Sequence, residues 1–327
     1  MRVGLLGLGR IGAFHATTLA AHPEVGELIV SDADEVRAKE VAGRVGALVG
    51  DAFEADAVVV ATPTSTHAEL IRRACDAGIP VFCEKPVAPG IEETARVVEA
   101  AARSGTLVHI GFQRRFDAGY AAARRALRSG QVGELHRVHM LTADPRPPDA
   151  AYIPLSGGIF RDCHIHDFDI LRWVTGREVE SVYATGANRG AAFFAEAGDV
   201  DTSAALLTLD DGTLVTMQGS RYNGAGYDVR MELAGTRDTV VVGLDDRVPL
   251  TSAEPAAEFP RGEAWPDFGA RFEAAYVTEI GAFLDSVRDG GQSPCTVQDA
   301  LAALRVAEAA ELSRSTGRPV RVAEVTV

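Results

Sequence analysis

The chain has 327 residues, of which 46% are hydrophobic and 24% charged, and its formal net charge is −14. This length exceeds one ordinary core and predicts two domains, and the composition argues against wholesale disorder. The negative charge argues against nucleic acid as a partner, because no dense basic patch offsets it. No apolar run is long enough to predict a membrane span, and we expect no signal peptide, since the fold is predicted to begin at Arg2.

The four cysteines are scattered, and no two of them form a Cys-x-x-Cys pair. This spacing argues against a zinc knuckle and against a dithiol redox motif. Isolated thiols are typical of a reducing compartment, so we expect a cytoplasmic protein. The cysteines are Cys75, Cys83, Cys163 and Cys295.

Up to about residue 117, short apolar runs alternate with segments of helical period. This order predicts an α/β fold with a doubly wound parallel sheet and right-handed crossovers. The run Ala57–Ala61 is apolar without alternation, as in parallel strands buried on both faces. The other predicted strands are Arg2–Leu6, Glu27–Ser31, Pro80–Cys83 and Leu107–Ile110. The predicted helices are Ile11–Ala21, Asp34–Arg44, Ala68–Ala77 and Ile91–Ser104.

Beyond residue 117 strand-like segments dominate, so we divide the chain into domains of residues 1–117 and 118–327. Asp211-Gly212 is a good hairpin turn between two of these strands. The predicted strands are Leu135–Ala143, Val179–Arg189, Thr202–Leu209, Thr213–Gly219, Asp228–Ala234 and Thr239–Val242. The predicted helices are Ala118–Ser129, Arg161–Val174, Phe268–Arg288 and Val297–Thr316.

A glycine motif, Gly7-Leu8-Gly9-Arg10-Ile11-Gly12, follows the first predicted strand and opens a helix. In this context the pattern Gly-x-Gly-x-x-Gly predicts a dinucleotide site. Gly7 permits the tight turn, Gly9 lets the backbone approach a pyrophosphate, and Gly12 lets the helix pack closely on the strand. The phosphates are then expected on backbone N–H groups at the helix N-terminus, including those of Arg10 and Ile11. The alternative is a glycine turn in another kind of α/β protein.

Asp32 lies twenty residues beyond Gly12, at the end of the second predicted strand. An acidic residue there hydrogen-bonds a ribose 2′-hydroxyl and repels a 2′-phosphate, so NAD is the expected cofactor. Arg37 could soften the penalty against NADP. Asp34 is expected to cap the helix that follows.

The turns after the later strands should border the same cofactor, because ligands of open α/β sheets bind at the carboxyl ends of the strands. His67 is expected to be solvated or to act as a helix cap, and it receives no catalytic role. The remaining predicted cofactor contacts are Ala61, Thr62, Pro63, His67, Glu84, Lys85 and Gln113.

Two signals predict the catalytic groups. Lys85, in Glu84-Lys85-Pro86, lies at the carboxyl end of a strand beside the expected cleft, although it could be an ordinary surface lysine. Asp162 and His166 are four residues apart, so on one helix they would share a face and could meet. A zinc site and a purely structural ion pair are the alternatives for this second signal.

Oxidation of an alcohol needs a base for the hydroxyl proton, and histidine suits it because its pKa of about 6.5 is close to working pH. His166 is the expected base. Lys85 would stabilise the developing alkoxide or hydrogen-bond the hydroxyl. Asp162 would hold His166 and bind a substrate hydroxyl.

Several segments together resemble the Gfo/Idh/MocA oxidoreductases, most closely the myo-inositol 2-dehydrogenases. They are GLGRIGAFHA, ATPTSTHAEL, CEKPVA, GFQRRFD and GGIFRDCHIHDFDILRWVTG, within about residues 1–245. The resemblance implies a Rossmann domain followed by an α/β domain with a large, mostly antiparallel sheet, whose open face makes dimer and tetramer contacts. It therefore implies a homo-oligomer, a homotetramer in particular. The family's lysine falls on Lys85, and its Asp-x-x-x-His pair falls on Asp162 and His166.

The resemblance also implies a substrate pocket, and here the sequence departs from the family. Asp144 stands in place of an amide that contacts substrate, and Thr142 in place of a histidine. Gln113 stands where the family often has Asn or Met, and Tyr227 is similar to a tyrosine on the substrate side. The predicted substrate contacts are Lys85, Gln113, Asp144, Asp162, His166 and Tyr227.

Three functions remain open at this point. The first is an NAD-dependent dehydrogenase that oxidises a secondary alcohol of an inositol or a related polyol or sugar. The second is an NAD-dependent glycosidase or epimerase that oxidises its substrate transiently and produces no net NADH. The third is a non-catalytic NAD(H)-binding sensor, which would not need Lys85, Asp162 and His166 together. Fold alone does not decide among them.

Overall fold

The structure, a computed structural model, describes residues 1–257, 259–260 and 262–326. They form two compact units, the first from residues 1–113 and 276–302 and the second from within residues 114–275 and 303–326. The chain thus enters the first unit twice, which differs from the contiguous division expected near residue 117. Residues 276–302 join the first unit through apolar packing, since Ile280, Phe283 and Leu284 are buried in the same hydrophobic cluster as strands of the first sheet.

The first unit is built on a six-stranded sheet in which every pair of neighbours is parallel, as predicted. Its strands are β1 (Arg2–Leu6), β2 (Glu27–Ser31), β3 (Leu48–Val49), β4 (Ala57–Val60), β5 (Val81–Glu84) and β6 (Val108–Gly111). Its helices are α1 (Arg10–Ala21), α2 (Glu35–Val45), α3 (Thr64–Ala77) and α4 (Ile91–Ser104). The strand order is β3-β2-β1-β4-β5-β6, so the carboxyl ends of β1, β2, β4 and β5 meet at one edge.

The second unit is built on a seven-stranded sheet. Its strands are β7 (Leu135–Ala143), β8 (Val179–Ala187), β9 (Thr202–Leu209), β10 (Leu214–Ser220), β11 (Asp228–Gly235), β12 (Thr239–Val242) and β13 (Val320–Arg321). The order is β12-β11-β7-β10-β9-β8-β13, and only the β7–β10 pair is parallel, so the mostly antiparallel sheet is confirmed. The hairpin predicted at Asp211-Gly212 joins β9 to β10, with Gly212 at a positive φ of 87°.

The other helices lie beyond residue 117 of the chain. They are α5 (Ala118–Arg128), α6 (Ile153–Ser156), α7 (Ile159–Asp162), α8 (His164–Thr175), α9 (Phe193–Glu196), α10 (Phe268–Asp289) and α11 (Val297–Thr316). Short 3-10 turns cover Gln113–Phe116 and Val322–Glu324. Across the described residues, no helix is both long and apolar enough to cross a membrane.

The single helix expected over Arg161–Val174 is wrong, because α7 ends and α8 begins at Cys163. Asp162 and His166 therefore lie on either side of a helix boundary, in α7 and in α8. Residues on both sides of this helix boundary are held by tertiary structure. Asp162 pairs with Arg221, and the Cys163 thiol contacts the Asp144 carboxylate. The next residue, His164, is buried.

Two buried ion pairs hold the start of the second unit to α8. Arg114 pairs with Asp167, and Arg115 binds Asp169 through two hydrogen bonds of 2.8 and 2.5 Å. All four side chains are buried. Burial opposes ionisation of Asp167, but Arg114 outweighs it and lowers the pKa of that carboxyl below its usual value.

Breaking one of these pairs should destabilise the second unit strongly. We expect Asp169→Asn to lower its free energy of unfolding by about 3 kcal/mol, because the Arg115 charge would stay buried without its counter-ion. Guanidinium unfolding followed by tryptophan fluorescence measures this, since both tryptophans, Trp173 and Trp265, lie in the second unit. The control is Glu180→Gln, which removes an exposed pair with Arg321 and should change stability by less than about 0.5 kcal/mol. Equal effects of the two substitutions would contradict the expectation.

Candidate active site

The glycine motif forms the turn between β1 and α1. Gly7 has a φ of 86°, and a Cβ there would lie 2.6 Å from the Ala61 carbonyl oxygen. A Cβ on Gly12 would lie 1.9 Å from the Gly7 carbonyl oxygen, so both positions require glycine. Gly9, the N-cap of α1, is different, because a Cβ there would meet nothing within 4 Å. The open space therefore lies directly at the N-terminus of α1.

This helix end suits an anion. The first turn of α1 contains no acidic residue, and no side chain caps it. The partial positive charge of the helix N-terminus is thus not neutralised from within its own first turn. The turn and the open space at Gly9 fit the pyrophosphate of a dinucleotide.

Asp32 lies beside the glycine turn and is held by the backbone. One carboxylate oxygen accepts from the Leu8 amide at 2.6 Å, and the other accepts from the Asp34 amide at 2.8 Å. Arg37 lies 3.4 Å from the second oxygen. Burial opposes ionisation of Asp32, but these donors prevail and its pKa is lowered. The result is a fixed anion beside the glycine turn. The predicted capping role of Asp34 is confirmed, since it accepts from the amides of Val36 and Arg37.

The turns after β4 and β5 are tied down by two buried histidines. His67 is only 1% exposed, and its ring nitrogens contact the backbone oxygens of Thr62 and Pro86. The expectation of a solvated or capping histidine is therefore wrong. His15 contacts Glu84 through Nε2 at 2.7 Å, directly before Lys85. The sequence signal for His67 was ambiguous, since burial depends on residues nineteen positions away.

Gln113 is buried at the end of the first unit and begins a 3-10 turn. Its side-chain oxygen has no hydrogen-bond partner among the residues that the structure describes. A buried amide oxygen without a partner is costly, so a ligand donor at this position would be favourable. This agrees with the prediction that Gln113 contacts a ligand.

In the second unit, Asp162 is held in place by two neighbours. The Tyr152 hydroxyl donates to one of its oxygens at 2.9 Å, and Arg221 donates to the other at 2.6 Å. His166 is partly exposed on α8, whereas its neighbours Ile165 and Asp167 are buried. His166 is thus the residue of this stretch of α8 that reaches the surface in part, although its Nδ1 is buried.

Arg221 also reaches Asp144, at 3.2 Å, so one guanidinium joins two carboxylates. Burial raises the pKa of Asp144, and Arg221 only partly offsets this effect. Sequence reasoning missed both Arg221 and Tyr152. Arg221 directly follows β10 and Tyr152 lies in a loop, 59 and 10 residues from Asp162, so no local spacing could have joined them.

Tyr227 is buried, and its amide donates to the Trp265 backbone oxygen at 2.8 Å. The pKa of its phenol is raised, chiefly by burial and also by Asp144, although Arg114 opposes the rise. The hydroxyl is therefore neutral and can donate a hydrogen bond. Asp144, Asp162 and Tyr227 all belong to the second unit.

His164 forms a buried chain between an aspartate and a serine. Its Nδ1 lies 2.7 Å from Asp167, and its Nε2 lies 2.8 Å from the Ser203 hydroxyl. Thr142 donates to the same aspartate at 2.8 Å. The residue types are those of a hydrolytic triad, but Ser203 is buried and no substrate could reach its oxygen. We interpret this chain as structural.

The ring of His164 occupies space that Gly219 leaves. A Cβ on Gly219 would lie 2.4 Å from Nε2 of His164, which no side chain tolerates. Both ring nitrogens of His164 are engaged, and the described residues contain no group of three His, Cys, Asp or Glu side chains placed to hold a metal.

Removing the Asp32 carboxylate should relax cofactor preference. Asp32→Ala removes the anion that would repel a 2′-phosphate and leaves Arg37 available to meet one. We expect the ratio of the NADPH to the NADH dissociation constant to fall roughly tenfold or more, about 1.4 kcal/mol. Titration of cofactor fluorescence measures it. Glu92→Ala, which removes an exposed carboxylate that pairs with Arg96 on α4, is the control and should leave the ratio unchanged. An unaltered ratio in Asp32→Ala would disprove the ribose assignment.

Comparisons with known proteins agree with this geometry. Residues 1–112 match the family model of the oxidoreductase family with an NAD-binding Rossmann fold, and residues 120–241 match the GFO/IDH/MocA C-terminal domain. Inositol 2-dehydrogenase of Rhizobium meliloti is 36% identical over 99% of both chains. The scyllo-inositol 2-dehydrogenase (NAD(+)) of Bacillus subtilis is 35% identical over 98% of this chain and 96% of its own.

Solved structures extend the comparison to three dimensions. That of scyllo-inositol dehydrogenase from Lactobacillus casei, with bound NAD(H) and scyllo-inositol, superposes with a TM-score of 0.89 at 28% identity, covering 99% of both chains. The first unit has the Rossmann architecture that binds NAD. With both halves matched, the chain belongs to the Gfo/Idh/MocA oxidoreductase family.

Proposed function

We propose that the protein is an NAD-dependent dehydrogenase that oxidises a secondary alcohol of an inositol, or of a closely related polyol or sugar, to a ketone. The observation that carries the proposal is the similarity to inositol dehydrogenases over the full length of both chains. The partly exposed His166 and the anchored Asp162 support it, because oxidation of an alcohol needs a proton acceptor and a group that holds a hydroxyl.

In the proposed reaction His166 accepts the proton of the reacting hydroxyl while hydride leaves the carbon that bears this hydroxyl. NAD, when bound, supplies the nicotinamide C4 that accepts the hydride. The ammonium group of Lys85 stabilises the alkoxide that develops on the substrate oxygen. Asp162 accepts a hydrogen bond from a substrate hydroxyl and orients His166. Arg221 and Tyr152 hold Asp162 in its rotamer, so that little side-chain entropy is lost when substrate binds.

The remaining proposed contacts with substrate and cofactor come from residues of each unit. Asp144 presents a carboxylate to substrate hydroxyls, and the buried Tyr227 donates from its neutral phenol. Asp32 takes the ribose hydroxyls, and His67 acts through the turns it contacts. The proposed cofactor contacts are Gly7, Gly9, Arg10, Ile11, Gly12, Asp32, Ala61, Thr62, Pro63, Glu84, Lys85 and Gln113.

The function is tested by NADH formation from a panel of inositol isomers, hexoses and pentoses with NAD and with NADP. We expect turnover of at least one inositol or related polyol with NAD. His166→Ala should lower kcat roughly 10²- to 10⁴-fold, the usual contribution of a general base, and leave the NADH dissociation constant within about twofold. His136→Ala, at an exposed position on β7, is the control and should change neither quantity.

The possible outcomes separate two claims. Absence of net NADH from every polyol, in a protein that binds NADH, would overturn the dehydrogenase. Full activity of His166→Ala on a polyol that the wild type oxidises would remove only His166 as the base.

We further propose that the protein is a cytoplasmic homo-oligomer, a dimer or tetramer. The location is supported by the four cysteines, none of which forms a disulfide within the described part of the chain. The assembly is supported by the open face of the second sheet, where cross-strand partners form one row. The row is Tyr183, Leu206, Thr216, His139, Glu232 and Val241. Tyr183 and Leu206 are 40% and 58% exposed, more apolar surface than a strand normally presents to water.

A charge in this row should weaken the assembly. We expect light scattering to give the wild type a mass that is a multiple of 34.5 kDa, and Leu206→Glu a smaller multiple. The same change at Val36, an exposed position on α2, is the control and should leave the mass unaltered. A wild-type mass of one chain at micromolar concentration would contradict the proposed assembly.

A further inference from the structure

His67 sits between two backbone carbonyl groups. Its Nδ1 lies 2.7 Å from the Pro86 oxygen, and its Nε2 lies 2.7 Å from the Thr62 oxygen. Both distances are those of good hydrogen bonds. The side chain is 1% exposed, so water has almost no access to the ring.

Both neighbours of the ring can only accept hydrogen bonds, because a carbonyl oxygen has no proton to donate. The ring contacts one backbone segment with each of its two nitrogens and so bridges two turns that follow different strands.

The two carbonyl groups belong to the turns after β4 and β5, at the carboxyl edge of the first sheet. Pro86 directly follows Lys85, so His67 fixes one end of the turn that carries the lysine. His15 fixes the other end through Glu84, with one contact of 2.7 Å. Two buried histidines thus bracket Lys85.

We propose that His67 is a positioning residue, which ties the Lys85 turn to the Thr62 turn and thereby fixes where the lysine ammonium can reach. The inference rests on the proposed function of Lys85.

The positioning role is tested by a double-mutant cycle with Lys85→Met, using the polyol that is turned over fastest. We expect His67→Gln to lower kcat roughly 10- to 100-fold in the wild-type background, because a small misplacement of a reacting group costs that much. In the Lys85→Met background the same change should cost less than about twofold, since there is no lysine left to position. His136→Gln is the control and should be silent in both backgrounds. Equal losses in the two backgrounds would show a general structural role for His67 and refute positioning through Lys85.

Discussion

Pairing of buried charge governs the second unit. Asp167 and Asp169 point from α8 into the interior, where an isolated carboxylate would be unstable, and Arg114 and Arg115 supply the two counter-charges. His166 directly precedes Asp167 and is partly exposed, although Ile165 and Asp167 are buried. The same Asp167 accepts a hydrogen bond from Thr142 and contacts His164, so one buried anion orders a strand, a helix and a turn together. The proposed base thus belongs to the helix whose buried carboxylates are neutralised by Arg114 and Arg115.

The first unit depends on a simpler rule, that parallel strands end at one edge of their sheet. Because of this rule, the order of strands and helices along the chain is enough to place the glycine turn, Asp32 and the turns after β4 and β5 at the same edge. The period of the apolar residues also located the two C-terminal helices to within a residue. What local patterns could reveal was thus the position of most of the longer elements and the side of the parallel sheet on which their ends lie.

Such local patterns could not reveal contacts between residues that are far apart in the sequence. Cys163 separates α7 from α8 with backbone angles of −88° and −59°, and no glycine or proline marks the break. Arg221 and Tyr152 are ordinary residues in the sequence, and only the packed chain brings them to Asp162. His67 shows the same limit, because the two carbonyl groups that define its chemistry carry no side-chain signal at all. The residues that sequence reasoning missed are mostly those that hold the predicted ones in place.

The close approach of His164 to Gly219 bears on the order in which this site could have evolved. An imidazole at position 164 can be accepted only on a background that already has glycine at position 219, since any Cβ there would overlap the ring. Conversely, a side chain can return to position 219 only after the imidazole has gone. The two positions thus form an epistatic pair, in which glycine at position 219 is the permissive first step. A family tree that includes this chain should contain ancestors with Gly219 and a smaller residue at position 164. It should contain none with histidine at position 164 and a side chain at position 219.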